Sequence, residues 1–440
     1  MPDCQERTAL TPGELLTPAE RLRLILVLGV LIALGPLTVD MYLPALPAIR
    51  DDLMTTEAAV QLTLTGTLAG LGLGQLLVGP LSDAVGRRRP LLVGVAVHVV
   101  ASVGCALAPD LVALGGMRVL QGLGAAAAAV VAMAVVRDLF VGMAAAKILS
   151  RLMLVMGAAP VLAPTLGGLV LALVSWRGVF VVLAILGVAI TVVAAMLLPE
   201  TLAPEDRRRG GPLGTLRDCG RLLGDRPYVG LILVAGLAMS SLFGYVSGSS
   251  FVFQQVYGLD EQQYAIVFGL GAVGLIIATQ CNVRLLRRFA PAQVMTGALV
   301  AGTAAGVSCC SSPPRRRRSA WPARPAVAGP GACGLALPNA PALALSRHGE
   351  AAGTAAALLG AVQFGVAALT APLVGVLAAG ATGMAVVIAG GMAAATAVAL
   401  LVVRPWQIEP PRRRRVRWRT EPTGFRNLLI SAASVPSSAR

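Results

Sequence analysis

Charge is scarce in this chain of 440 residues: 13% are charged, and of its 36 basic residues only Lys147 is a lysine. A soluble globular domain carries about 25% charged residues. With 56% hydrophobic residues and a mean hydropathy of +0.78, the chain reads as a polytopic helical membrane protein, not a soluble domain with an anchor. The seven cysteines, at 4, 105, 219, 281, 309, 310 and 333, form no C-x-x-C pair. Five lie in or near apolar runs and read as small packing residues, so neither a disulfide framework nor a metal site is expected. The lone lysine bears on ATP-driven chemistry. Gly142 and Lys147 lack the glycine before the lysine and the hydroxyl residue after it that a phosphate-binding loop needs. No polar catalytic constellation marks a membrane-embedded enzyme, so no enzyme is expected. The first 20 residues lack the apolar core of a cleaved signal, and a cytoplasmic tail is expected there.

What is present is a series of twelve apolar runs, each long enough to cross about 30 Å of hydrocarbon. They fall near 21–47, 57–80, 90–108, 111–136, 147–173, 178–198, 227–251, 262–283, 291–310, 326–345, 353–378 and 381–403. Thr17-Pro18-Ala19-Glu20 has the form of a capping box with proline at the first helical position, so the first span starts there. The longest polar gap, 199–226, reads as a cytoplasmic linker between six spans in 21–198 and six in 227–403. The junction 281–291 holds in the second half the place of 79–89 in the first, an echo that suits two parallel repeats. The expected fold is all-α: twelve transmembrane helices in two pseudo-symmetric six-helix bundles.

Arginine placement sets the expected orientation. With the N-terminus inside, the inner junctions carry Arg87, Arg88, Arg89, Arg137, Lys147, Arg207, Arg208, Arg209, Arg217, Arg221, Arg226, Arg284, Arg287, Arg288 and Arg347. The outer junctions carry Arg50 and Arg177, apart from the stretch 309–325, and this asymmetry places both termini in the cytoplasm. Residues 309–333 and the tail 404–440 together supply +12 of the formal +15. The high isoelectric point is therefore no sign of nucleic-acid binding. The basic tail reads as a solvated segment, or as one touching anionic lipid heads.

Asp40 carries the most chemistry. An ionised carboxylate in lipid costs several kcal/mol, so it must face a cavity or a partner. Its candidate partner is Arg118 in the fourth span. Each lies seven residues from the outer end of its span, about 10 Å deep at the rise of a helix. Such a carboxylate, beside an arginine, can gain and lose a proton near neutral pH. The alternatives are a static ion pair tying two helices, or an Asp40 wetted at the interface. Tyr42, Gln121, Phe243, Tyr245, Phe251 and Asn339 are candidates to line a substrate cavity, with packing or lipid-facing roles as the alternative for the aromatics. His98 reads as a packed or wetted helix residue.

Gly79-Pro-Leu-Ser-Asp-Ala-Val-Gly-Arg-Arg-Arg89 closely resembles the loop between the second and third helices of the major facilitator superfamily of secondary transporters. Gly79, Leu81, Asp83, Gly86, Arg87 and Arg88 match, and Ala84 departs from the usual arginine. Arg118, Gln121 and Gly122 resemble that family's fourth-helix pattern, whose arginine belongs to the proton-coupling machinery. Gly157, Pro160, Pro164, Gly167 and Gly168 resemble its antiporter motif, with Ala159 in place of a glycine. Prolines remove helix hydrogen bonds and small residues let helices approach closely. Leu34–Pro47, Ser175–Phe180, Phe251–Leu259, Pro338–Ala340 and Ala352–Leu358 look like the bicyclomycin-resistance and chloramphenicol-efflux branch. The resemblance implies a monomeric exporter of apolar or cationic drug-like molecules in a bacterial inner membrane. It needs no cofactor, and the proton is the coupling ion. Export of a natural metabolite is the alternative. The resemblance also implies that Asp83 pairs with an arginine of its own loop and with the start of the eleventh helix near Gly353.

The stretch 307–332 interrupts this pattern. It holds Arg315 to Arg318 and Arg324 where outer junctions hold almost none, and five prolines where helices are expected. Arginine, proline, alanine and glycine are what G+C-rich DNA encodes out of frame. A pair of compensating frameshifts near codons 307 and 332 is the expectation, a genuine periplasmic loop the alternative. If the segment is real, the tenth helix starts poorly and the transporter is weak or inactive.

Overall fold

The computed structural model describes Gly13 and residues 15–207, 211–311, 323–348, 351–377 and 381–407. Most of the two terminal tails, Arg208, Arg209 and the core of the anomalous stretch, 312–322, lie outside the described residues. Among the described residues there is no strand. Twelve long helices follow one another: α1 Pro18–Asp40, α2 Glu57–Val85, α3 Arg88–Ala106, α4 Leu111–Leu139, α5 Gly142–Leu171 and α6 Arg177–Leu197. After the linker come α7 Arg226–Phe251, α8 Glu261–Leu285, α9 Pro291–Ser311, α10 Ala323–Ser346, α11 Ala352–Thr370 and α12 Ala381–Val398.

Local chemistry sets where these helices start. Thr17 and Glu20 form the expected capping box, with the Glu20 amide donating to Thr17 Oγ1 at 3.3 Å and the Thr17 amide to Glu20 Oε2 at 2.9 Å. Thr56 caps α2, Asp110 caps α4, and Asp260 with Gln263 forms a second capping box on α8. Each satisfies amides that a helix start leaves unpaired. Among the described residues ten helices, α1 to α8 with α11 and α12, are long and apolar enough to cross a bilayer. α9 and α10 are helices of 21 and 24 residues packed among them. α10 begins inside the anomalous stretch, at Ala323, and holds its helix past Pro325 and Pro330. The linker, expected as a polar gap, contains a short helix at Gly211–Leu223. Leu222 there is buried and Arg221 faces solvent, the two-faced pattern of a helix lying on a surface.

The packing repeats itself. Within the first six helices, α2 packs on α4, α3 on α4 and α6, and α1 on α4, α5 and α6. Advancing every number by six gives α8 on α10, α9 on α10 and α12, and α7 on α10, α11 and α12, all of which are present. The two bundles are thus pseudo-symmetric halves. They meet along two seams that the same operation exchanges, α2 with α11 and α5 with α8.

The two ends of this assembly differ. At one end α1 gives way to a tight turn, Leu43–Ala45, and a short helix, Leu46–Asp52. At this Pro47 end five hydrogen bonds join the halves. Gln61 Nε2 donates to the Ser247 carbonyl at 3.3 Å, and the Gly375 amide donates to Gln61 Oε1 at 3.0 Å. Thr65 donates to the Ala368 carbonyl at 3.1 Å, Ser250 to the Leu43 carbonyl at 2.7 Å, and Gln254 to the Pro44 carbonyl at 3.2 Å. At the other, arginine-rich end, Asp83 and Arg137 of one half and Gly353 of the other line the mouth of a cavity.

Candidate functional site

The cavity lies between the halves, has a volume of about 830 Å³, and runs from that mouth to Asp40 and Tyr245. A volume of this order holds a drug-sized molecule. Its walls come from both bundles and are mostly apolar, with Met133, Met153, Met156 and Met239 among them. Methionine side chains adapt to irregular shapes. Phe243 lies 6.4 Å from Phe364, and Tyr245 is stacked on Phe268 at 5.5 Å with 14° between the rings. Gln75 and Gln363 add polar groups from the α2–α11 seam.

Asp40 is the last residue of α1, is 6% exposed, and lines this cavity. The expected ion pair with Arg118 is not formed, and among the described residues Asp40 has no salt-bridge partner. Arg118 is fully buried on the far side of α1. Its guanidinium donates from Nη1 to the Thr38 carbonyl at 3.0 Å and to Gln121 Oε1 at 2.7 Å. It also sits 4.3 Å from the centre of the Tyr42 ring, a cation–π contact. The reason is rotational. Thr38 and Asp40 are two residues apart, which is about 200° around a helix, so a group that meets the Thr38 side of α1 faces away from Asp40. The last carbonyls of α1 lack helix partners, and a buried arginine is a suitable cap for one of them.

Arg118 is the centre of a buried polar network. Gln121 Nε2 donates to Ser102 Oγ at 2.8 Å, and the Gln121 carbonyl is 3.2 Å from His98 Nδ1. Tyr42 pairs its hydroxyl with Thr63. Four expected cavity residues are therefore corrected. Tyr42 and Gln121 belong to this network, in the interior of the first bundle. Asn339 is buried and donates to Asn282 Oδ1 at 2.7 Å, tying α10 to α8. Phe251 is buried at the end of α7. Of the six cavity candidates, only Phe243 and Tyr245 line the chamber. Trp176 is buried and donates from Nε1 to Asp52 Oδ2 at 3.0 Å.

The loop at 79–89 is held by charge. Arg87 pairs with Asp83, bonds Asp138 through Nε at 2.8 Å and Nη2 at 3.1 Å, and donates to Ser82 Oγ at 2.9 Å. Arg88 donates to the Ala195 carbonyl at 2.5 Å. Gly86 has φ +102°, a conformation glycine adopts freely, and a Cβ there would meet Glu200 Cδ at 2.9 Å. Glu200 uses that space to accept from the Arg87 amide at 2.8 Å and the Arg88 amide at 3.2 Å. It thereby caps α3, which has no cap of its own. Burial acts to raise the Glu200 titration. The amides of Arg87, Leu202 and Arg88 and the charge of Arg207 outweigh it and hold the carboxyl below its ordinary value. Gly79, Asp83 and Arg87 also border the cavity. Among the described residues no hydrogen bond or ion pair joins Asp83 to the start of α11, and Asp83 and Gly353 both line the cavity mouth.

The antiporter-type motif is a packing device in this conformation. A Cβ on Gly167 would fall on the Met41 carbonyl oxygen, and one on Gly168 would lie 3.1 Å from Gln262 Oε1. A Cβ on Gly157 would lie 3.4 Å from Ile276 Cγ1. α5 therefore lies close against α1 and α8 along one face. Pro160 lines the cavity, and Pro164 is buried beside it in the same helix.

Asp138, Glu200, Gln61 and Phe268 are functional candidates that sequence reasoning passed over. Gln61 carried a signal, as an amide within an apolar run. Asp138 and Glu200 stood beside loop arginines and were hidden among charges expected at helix ends.

Two repeated bundles of membrane-spanning helices around a central chamber, closed at one end and open at the other, define a membrane carrier. Residues 28–368 match the Major Facilitator Superfamily, and the chain belongs to that family. It is 37% identical over 378 residues to an uncharacterized MFS-type transporter, YdgK, of Bacillus subtilis (strain 168), covering 82% of this chain and 90% of that one. It is 31% identical over 353 residues to a bicyclomycin resistance protein homolog of Haemophilus influenzae, covering 80% and 88% of the two chains. A solved bacterial homolog of the human lysosomal transporter Spinster, inward-facing and occupied, superposes with a TM-score of 0.65 at 15% identity over 89% of this chain and 97% of that one. That last likeness is one of fold. The protein is a multi-pass membrane transporter of small molecules, not an enzyme.

Proposed function

We propose that this protein is a proton-coupled exporter of apolar and cationic drug-like molecules, working by alternating access in a bacterial inner membrane. One observation carries the reading: an ionisable carboxylate, Asp40, at the closed end of a chamber with mostly apolar walls. The bicyclomycin resistance relative supports the drug branch. The arginine-rich end is cytoplasmic under the positive-inside rule, so this conformation faces inward and both termini lie inside. Both walls of the chamber come from one chain, so a monomer suffices.

The coupling follows from electrostatics. A bare carboxylate shut into an occluded apolar chamber costs several kcal/mol. Asp40 can cross the occluded state neutralised either by a bound cationic drug or by a proton. In the inward state it releases its proton to the cytoplasm and takes the drug against Tyr245 and Phe268. In the outward state a proton from outside displaces the drug. The protonated carrier then returns. Asp40→Asn is always neutral and loses that exchange. It is expected to insert in the membrane normally and to fail in proton-driven uptake of a cationic dye into inverted vesicles. Accumulation of the dye against its gradient by Asp40→Asn would refute the assignment.

A further inference from the structure

Among the described residues, no ion pair joins the halves at the outer end of the chamber. The ion pairs near it, Arg50 with Asp51 and Glu57 and Arg177 with Asp52, each stay within the first half. Among the described residues the hydrogen bonds given above cross between the halves there, each pairing a neutral side chain with a backbone group. Three of the four side chains involved, Thr65, Ser250 and Gln254, reach one carbonyl each across the divide. Gln61 differs. It is 1% exposed on α2 and holds two separate elements of the other half. Its Nε2 donates to the Ser247 carbonyl on α7 at 3.3 Å, and its Oε1 accepts the amide of Gly375 at 3.0 Å. Gly375 lies in the short helix Leu373–Leu377 that follows α11. A Cβ on Gly375 would lie 2.9 Å from the Ala58 backbone, so the missing side chain is what lets this segment reach α2.

We propose that Gln61 is a two-ended clasp of the outer gate, a positioning residue that sets how often the chamber opens at the Pro47 end. The proposal rests on the alternating-access reading. An amide suits the task because it donates and accepts at once and carries no charge. Proton control is then left to Asp40, and the clasp's own bonds contain no titrating group. Losing both bonds shifts the ratio of open to closed gates on the order of tenfold toward open.

The test is a distance between spin labels at Met54 and Val256, exposed positions of the two halves at the Pro47 end, in full-length protein in lipid nanodiscs. Gln61→Leu is expected to enrich the long-distance population on the order of tenfold, and Thr65→Val less. Gln61→Glu separates the clasp from mere packing. Protonated, its carboxyl donates to Ser247 and accepts from Gly375, and the gate closes. Ionised, it repels the Ser247 carbonyl, and the gate opens. In an Asp40→Asn background, which removes the chamber's own titrating group, its distance distribution should therefore move with pH while that of Gln61 in the same background does not, and its return at low pH shows that the variant is folded. A Gln61→Leu distribution equal to the parent's, or a Gln61→Glu that is pH-independent in the Asp40→Asn background, overturns the clasp. A parent that keeps one distance under every proton gradient and drug concentration overturns alternating access instead. Gln61→Leu still decides the clasp in that case by opening the gate or leaving it shut.

Discussion

Adding one methyl group at Gly167 tests whether the close approach of α5 to α1 is what that helix contributes. The new Cβ of Gly167→Ala would fall on the Met41 carbonyl oxygen, with the carbonyl carbon at 3.0 Å and Pro44 Cγ at 3.3 Å. The Met41 atoms are backbone at the turn that ends α1, so no rotamer change relieves them. Extra carbon in a filled seam costs about 1–3 kcal/mol. Alanine returns about 1 kcal/mol over glycine inside a helix. The clash therefore wins, by up to about 2 kcal/mol on those two figures. Gly157→Ala is the internal control on the same helix. Its Cβ meets Ile276 Cγ1 at 3.4 Å and Cδ1 at 3.5 Å, ordinary contact with a flexible side chain. Propensity wins there, and the variant gains about 1 kcal/mol. Thermal midpoints of both proteins in one detergent, with dye export in cells, give the readout. Gly167→Ala should melt lower than the parent and export poorly, and Gly157→Ala should melt higher. Parental stability and full export in Gly167→Ala would refute the idea that the glycine exists to bring these backbones together.

Two further outcomes are open to direct measurement. Asp225, at the start of α7, bonds Arg347 at 3.0 Å and His348 Nε2 at 2.9 Å. Burial acts to raise its titration, but Arg347 and His348 outweigh it and hold the carboxyl below its ordinary value. A depressed folded-state value adds stability above the unfolded value of ~3.9, and that stability is lost as pH falls through the folded value. Asp225→Asn should thus lower the melting midpoint at neutral pH and converge with the parent in strong acid, and an equal deficit at both would refute the assignment. Resequencing codons 300–340 should reveal compensating frameshifts near 307 and 332, with a corrected apolar run of about 20 residues ending near Leu345. An unaltered frame would defeat that reading.

The parts of the molecule governed by one helix at a time were legible in the chain. Thr17 with Glu20 marked the start of α1, and each apolar run became a helix because span length and end-capping are local properties. The family resemblance implied that Asp83 pairs with an arginine of its own loop, and the structure shows that the arginine is Arg87. The depth of Arg118 was readable from the length of α4, but its partner was not. A helix turns about 100° per residue, and hydropathy does not report which way it is turned. Tyr42, Gln121 and Asn339 are hidden from lipid, as cavity residues are, yet they pack inside a bundle. Lipid avoidance looks the same in sequence for both places.

Hydropathy by itself determined that this chain folds into twelve membrane helices, because span length depends on the solvent around each segment, and the resemblance at the Gly79 loop pointed to a carrier. Tertiary structure alone decided which groups meet. Asp138 is 51 residues from Arg87, and the Arg87 amide is 113 residues from Glu200. Gln61 reaches Ser247 across 186 residues. Such contacts are fixed by the rotation and approach of whole helices. Those are settled jointly by glycines that admit a neighbour, such as Gly167 and Gly375, and by the two halves folding against each other.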